Sequence, residues 1–276
     1  MSRMKRPCIG ASIATFVGTV VLSATSSLAQ PVSCPVTHAE LTDALVASVA
    51  TQDVFGNPNG GTLDGTNGGL DFNMWASVVN RDGIVCAVTF TGSDNDDQWP
   101  ASRVISAQKA NTANSLSLDR LALSTANLWA ATQPGGSLFG LQFSNPVDFD
   151  KAYAGDNADY GTEDDPMIGE KVGGVNVFGG GLALYDGPNI VGAVGVSGDS
   201  SCADHNVAWR TRQILGLDSV PAGVQPNNGD DGIIYDIISI GQPGHLETVS
   251  ASGFGHPTCG GTEDDVAAAI GSGSTP

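Results

Sequence analysis

The chain has 276 residues, 41% of them apolar and only 14% charged, which is enough material for a buried core. Its 29 acidic against 11 basic residues leave a net charge of −18. A field of that sign repels phosphate backbones and anionic lipid, which argues against nucleic-acid and membrane-surface roles.

Residues 1–29 carry Arg3, Lys5 and Arg6, then an apolar run over 9–22, then small residues with Ser27 and Ala29 at the −3 and −1 positions. This is the pattern of a secretory signal peptide cleaved before Gln30, and it implies a secreted or periplasmic protein with no membrane span after cleavage. Gly10, Ser12 and Gly18 interrupt the run, which is shorter than the ~20 apolar residues a span needs. Removing the leader's three cations leaves 8 basic against the same 29 acidic residues, net −21. It also removes Cys8, so Cys34, Cys86, Cys202 and Cys259 remain, an even number suited to two disulfides with three connectivities open.

Thr37 and Glu40 have capping-box spacing ahead of Leu41, Leu45 and Val49, which predicts a helix over 37–51. The Gly/Asn/Pro-rich stretch 56–69 reads as a loop. Two β-prone runs, 72–79 and 84–91, flank Asn80-Arg81-Asp82-Gly83 and predict an antiparallel hairpin. Beyond an acidic loop at 93–98, Pro100 can open a helix over 101–116 whose Val104, Ala107, Ala110 and Ala113 form a close-packing face. A helix over 124–132 stops at Pro134-Gly135-Gly136, a strand is expected at 138–143, and 157–163 is loop. A second hairpin, 174–185 with 190–196, turns at Asp186-Gly187-Pro188-Asn189 and leads into a helix over 203–217. The tail adds one strand at 233–240 and a disordered Gly-Ser-Thr-Pro end. Helix, hairpin, helices, hairpin, helix is the order of an α+β fold, an antiparallel sheet with helices packed on it.

Several residues are candidates for chemistry. Lys109 and Thr112 stand at i, i+3 on one helix face and could meet a ligand carboxylate. Gly192-Ala193-Val194-Gly195-Val196-Ser197-Gly198 puts small residues on a strand, where a helix or a flat ligand could come close. Asp199 stands where a nucleophile elbow needs glycine, and Ser201-Cys202 follow Gly198-Asp199-Ser200 where a chymotrypsin-type oxyanion hole needs small glycines, so neither hydrolase motif is met. His38, His205, His245 and His256 are the mature histidines, imidazole being a common metal ligand. Asp204 suits a helix cap better than acid–base work. The clusters Asp94-Asn95-Asp96-Asp97, Glu163-Asp164-Asp165 and Asp230-Asp231 could hold calcium but lack the full loop spacing, and read as solvated loop carboxylates. His-Pro-Thr-Cys at 256–259 has no second His/Cys pair at finger spacing, which favours a disulfide over zinc.

Ser106-Ala107-Gln108-Lys109-Ala110-Asn111-Thr112-Ala113 and the segment 187–205, GPNIVGAVGVSGDSSCADH, resemble the GlcG/HbpS-type haem-binding family over residues 72–217. The resemblance implies a profilin-like five-stranded antiparallel sheet between helical layers. Residues 30–71 would precede that core as a helix and loop, and 218–276 would extend it. It also implies a homo-oligomer and a haem or related tetrapyrrole ligand near Lys109, Thr112, Gly195 and His205. His205 is then the first candidate iron ligand and His38 the second. Pairing Cys34 with Cys86 and Cys202 with Cys259 would tie peripheral segments to such a core. The expected function is haem sequestration, delivery or redox sensing, a binding protein rather than an enzyme. An enzyme acting on a small carboxylate or degrading haem, with Lys109, Asp204 and His205 as its acid–base groups, and a structural periplasmic protein are the alternatives.

Overall fold

The computed structural model describes residues 33–50, 67–242 and 245–274; the expected leader, the end of the first helix and most of the loop at 56–69 lie outside them. Helix α1 (His38–Val49) starts at the expected capping box. Glu40 N–H donates to Thr37 Oγ1 at 3.3 Å and Thr37 N–H to Glu40 Oε2 at 2.7 Å. Strands β1 (Trp75–Asn80) and β2 (Val85–Phe90) form the first hairpin. Asn80 Oδ1 stabilises its turn by accepting from the Asp82 and Ile84 amides. Helix α2 (Ser102–Leu116) follows. The segment expected to be one helix over 124–132 is a 3₁₀ turn (Ala126–Leu128) running into the short α3 (Trp129–Thr132).

The strand expected at 138–143 does not form. Positive φ at Gly135 and Gly140 breaks extension, and Leu141 N–H turns back to Leu138 O and Phe143 N–H to Gly140 O. The segment is a turn followed by α4 (Leu141–Ser144), then α5 (Phe149–Ala152). Strands β3 (Gly181–Asp186) and β4 (Asn189–Ser197) make the second hairpin, and α6 (Ser201–Ile214) leaves the end of β4. The main sheet therefore has four strands among the described residues, in the order β2-β1-β4-β3, all antiparallel, where five were expected.

Both faces of this sheet are covered. Trp75, Val79, Val88 and Ala193 pack with Val104, Ala107, Ala110 and Ala113 of α2, while Ala76, Val78, Leu182, Val194 and Val196 pack with Leu41 and Leu45 of α1 and Val207 and Ala208 of α6. Double coverage is why β1 is buried at every position and shows no polar alternation. A Cβ on Gly195 would lie 2.0 Å from Ser106 O and 2.5 Å from Ala110 N, so the backbone of α2 rests directly on β4. The glycine admits a helix.

The tail is built onto α6. Strand β5 (Ile233–Ile234) is followed by a hairpin of β6 (Ile237–Gln242) and β7 (His245–Ser250), then α7 (Glu263–Ile270) and β8 (Gly273–Ser274). The single strand expected at 233–240 breaks at Tyr235-Asp236, where the Asp236 carboxylate accepts from Ser250 Oγ and Ser252 N–H. Gly273 and Ser274 belonged to the end expected to be disordered, yet they are buried and pair in parallel with Ile233 and Ile234. Disulfides join Cys34 to Cys86 and Cys202 to Cys259.

Cys34–Cys86 spans 52 residues, and replacing both by serine is expected to lower the unfolding free energy by about 2–4 kcal/mol in urea titration. Gly195→Ala, which pushes a methyl into α2 backbone, is expected to cost about 1–3 kcal/mol in the same measurement.

Candidate functional site

The expected ligand residues lie where α2, the end of β4 and the start of α6 converge. Lys109, 2% exposed, donates from Nζ to Asp204 Oδ2 at 2.6 Å and to Val196 O at 3.0 Å. Asp204 Oδ1 accepts from Asp199 N–H at 2.9 Å, and the Asp199 carboxylate in turn holds the amides of Leu70 and Phe72. A Cβ on Gly180 would fall 3.0 Å from Lys109 Nζ and 2.5 Å from Val196 O, so this glycine makes room for the pair. Burial pushes Asp204 up to about 6 against the pull of Lys109, and pushes Lys109 down against the pull of Asp204. Both charges are consumed by each other.

The other candidates are also turned inward. Thr112 Oγ1 donates to Gln108 O at 2.7 Å and accepts from Asn176 N–H at 3.0 Å. His205 is 0% exposed, with Nε2 3.2 Å from Ser272 O, Trp209 beside its ring and Nδ1 without a hydrogen-bond partner among the described residues. Its burial lowers its pKa to about 3. His38 alone of the two proposed iron ligands is only half-buried; its Nε2 donates to Gly161 O at 2.9 Å. His245 lies in β7, and His256 is buried beside Trp129. Ser200 caps α6 through Ala203 N–H and donates to Glu263 Oε1 at 2.6 Å, a structural use of the serine cluster.

Two further buried pairs were not legible in the sequence. Arg103 Nε donates to Asp165 Oδ2 at 2.8 Å and Arg103 Nη1 to Ala152 O at 2.8 Å, with the guanidinium 3.6 Å over the Tyr160 ring. Arg212 grips Asp231 with two bonds of 2.7 and 2.8 Å. Asp165 and Asp231 are therefore buried ion-pair partners, in place of the solvated loop carboxylates expected of their clusters. The only sequence signal was that each ends an acidic run.

One exposed stretch of the fold is apolar. Between α2 and β3 in sequence, Leu138, Phe139, Phe143, Phe149 and Tyr153 are all exposed, Phe143 by 82%. The segment is anchored from beneath by Arg103 on Ala152 O. A shallow groove of about 890 Å³ adjoins its start, lined by Trp129, Pro134, Gly135 and Ser137 on one side and Ile237 and Val249 on the other.

The model for haem-degrading HbpS-like proteins matches residues 69–212 of this sequence. The chain belongs to the HbpS-like family. Similar solved structures are a PduOC–haem complex (20% identity, covering 66% of this chain and 93% of that one, TM-score 0.43), Klebsiella pneumoniae ORFY (25%, 68%, 95% and 0.42) and HbpS (17%, 69%, 95% and 0.38). No curated protein matches. The HbpS-like region contains the whole main sheet, the Lys109–Asp204 pair and the exposed aromatic segment. Asp231, His256, Cys259 and Ser272, which engage α6, come from the tail outside it. No helix among the described residues is long and apolar enough to cross a membrane.

Lys109→Met strands the Asp204 carboxylate in the interior and is expected to cost about 3–5 kcal/mol, most of it recovered in Lys109→Met/Asp204→Leu, measured by urea unfolding. Burial holds His205 down to about 3 and His256 down to about 4, below the ordinary 6.5, so the unfolded chain binds more protons as pH falls. That stability is full above pH 6.5 and is lost on acidification; Asp204, raised to about 6, opposes it with one proton. The unfolding free energy from urea titration is expected to fall between about pH 6.5 and pH 4.5 with a net slope of about 1.4 kcal/mol per pH unit, flattened in His205→Phe.

Proposed function

We propose that this protein is an exported haem- or tetrapyrrole-binding member of the HbpS-like family, serving sequestration, delivery or redox sensing. The carrying observation is the family match over residues 69–212, which contain an exposed aromatic segment that no other part of the described fold covers. A porphyrin face is stabilised by apolar and aromatic contact, and Phe139, Phe143, Phe149 and Tyr153 supply it. The leader at 1–29 supports export. Oligomerisation belongs to the same proposal, since an apolar surface of this kind can also be shared between subunits.

His38 fits an iron ligand better than His205. Ligation needs a lone pair that a planar macrocycle can reach. At His205 the ring is sealed under Trp209 and the tail; at His38 the Nε2–H donates to the Gly161 carbonyl, which leaves the Nδ1 lone pair on a half-buried ring. Gly161 N–H donates to Asp165, whose partner Arg103 holds Ala152, so His38 and the aromatic segment share one hydrogen-bonded framework. Haem, when bound, would supply the redox-active iron. The family description names haem degradation, so turnover of the bound haem is the second reading.

Haemin titration is expected to give a shifted Soret band saturating at one equivalent per chain. His38→Ala should change the ligation spectrum and weaken binding at least about tenfold, Phe139→Ala/Phe143→Ala should weaken it without altering ligation, and His205→Phe should leave the spectrum intact. A spectrum identical to free haemin would overturn the reading. Loss of the Soret band on adding ascorbate and oxygen, with stoichiometric iron release, would establish degradation.

A further inference from the structure

The tail brings a third metal-ligating side chain to the His-Pro-Thr-Cys segment that the sequence does not place there. Cys202, in the first turn of α6, Cys259 and His256 have ligand atoms all within 4.8 Å of one another, the one such group of three among the described residues. In the oxidised protein the two sulfurs are bonded to each other and are poor ligands. The surroundings are nevertheless those of a thiolate site. Cys202 N–H, an amide of the α6 N-terminus, points at Cys259 Sγ from 3.3 Å, and the helix dipole favours negative charge there. His256 Nδ1 lies 3.9 Å from Cys202 Sγ and donates to Pro257 O at 2.7 Å, so the Nε2 lone pair carries no proton of its own, and ligation takes either a turn of the ring that brings Nε2 to the sulfurs or exchange of the Nδ1 proton for the cation. Ser201 Oγ lies 3.4 Å from Nε2 and 3.6 Å from Cys259 Sγ.

We propose that reduction of the Cys202–Cys259 disulfide converts this latch into a Cys₂His site for a divalent zinc-type cation. The reductant is an external dithiol. Its thiolate attacks Cys259 Sγ, which lies on the exposed loop 258–261; the S–S bond breaks with Cys202 leaving as a thiolate at the helix N-terminus. The second thiol of the reductant resolves the mixed disulfide, so the reductant ends as a disulfide and the protein as a dithiol, two electrons having passed inward. The cation then displaces the two thiol protons. Two thiolates and one imidazole select zinc over calcium or magnesium, and the sulfurs open to roughly 3.8 Å apart to suit Zn–S bonds of about 2.3 Å. The exposed loop can make that adjustment by moving Cys259 while Cys202 stays buried in α6. The inference does not depend on haem binding.

The test is anaerobic cobalt(II) titration of the phosphine-reduced, desalted protein, with circular dichroism recorded alongside. The expected result is uptake of one cobalt per chain with a thiolate-to-cobalt charge-transfer band and tetrahedral visible bands, bleached by zinc; the oxidised protein should show none. Cys202→Ser/Cys259→Ser, which keeps Cys34 and Cys86 and is reduced in the same way, should lose the band. His256→Gln should weaken cobalt binding by more than the roughly 10–100-fold cost of losing an outer-shell partner. A reduced, folded protein without the band, a band that persists in the double serine variant, a loss in His256→Gln within that outer-shell range or smaller, or collapse of the far-ultraviolet spectrum on reduction would each overturn the proposal.

Discussion

The Lys109–Asp204 ion pair joins three elements at one buried point: α2, the end of β4 through Val196 O, and the first turn of α6. Neither charge reaches water, so the pair persists because each partner neutralises the other, with Val196 O accepting a second Lys109 proton and Asp199 N–H donating to the second Asp204 oxygen. Asp204 in turn orders Asp199, and Asp199 gathers the amides of Leu70, Phe72 and Ser200. The entry to β1 and the start of α6 are thereby set by carboxylates that look, in sequence, like catalytic or capping residues. The small residues around them follow from the same constraint. Gly180 clears Lys109, and Gly195 lets α2 descend onto β4 until the lysine can reach.

Two other buried pairs extend the scheme outward. Arg103–Asp165 ties the segment of exposed aromatics to α2, so an apolar surface is held on an otherwise irregular stretch of chain. Arg212–Asp231 ties the tail to α6, aided by Cys202–Cys259 and by Asn206, which holds Glu263 O and Ser272. Acidic residues outnumber basic ones strongly, yet three of the few cations sit in the interior with one carboxylate each. Each of these three pairs is neutral, so none of them adds to the charge imbalance.

The consequence for function is a separation of roles. The motif around Lys109 and Gly195 inside the HbpS-like region builds the scaffold, and the reachable features are the aromatic segment within that region and His38, which precedes it. Outside it, the tail seals the α6 face, covering His205 and meeting Cys202. Haem chemistry and thiol chemistry would then occupy different surfaces of one chain.

Much of the scaffold was legible because its causes are local. Thr37 and Glu40 announce α1, Asp82-Gly83 and Asp186-Gly187 turn the hairpins, and the alanine stripe of α2 marks a close helix–sheet contact. The glycine-punctuated β4-to-α6 passage carried the family resemblance that the match over 69–212 established. Local pattern misled at 138–143, where alternating apolar residues belong to an exposed turn and helix interrupted by Gly140. It was silent on which charges are buried, since Lys109 with Asp204 and Arg103 with Asp165 are 95 and 62 residues apart. The sequence alone determined α1, α2, α6, the two hairpins, their order and the family, because capping, turns and periodicity act over a few residues. Only the tertiary structure decided that Lys109 serves Asp204, that His205 is sealed while His38 is reachable, and that Cys202 meets His256. Burial and partnership are properties of surfaces that meet only when the chain has folded.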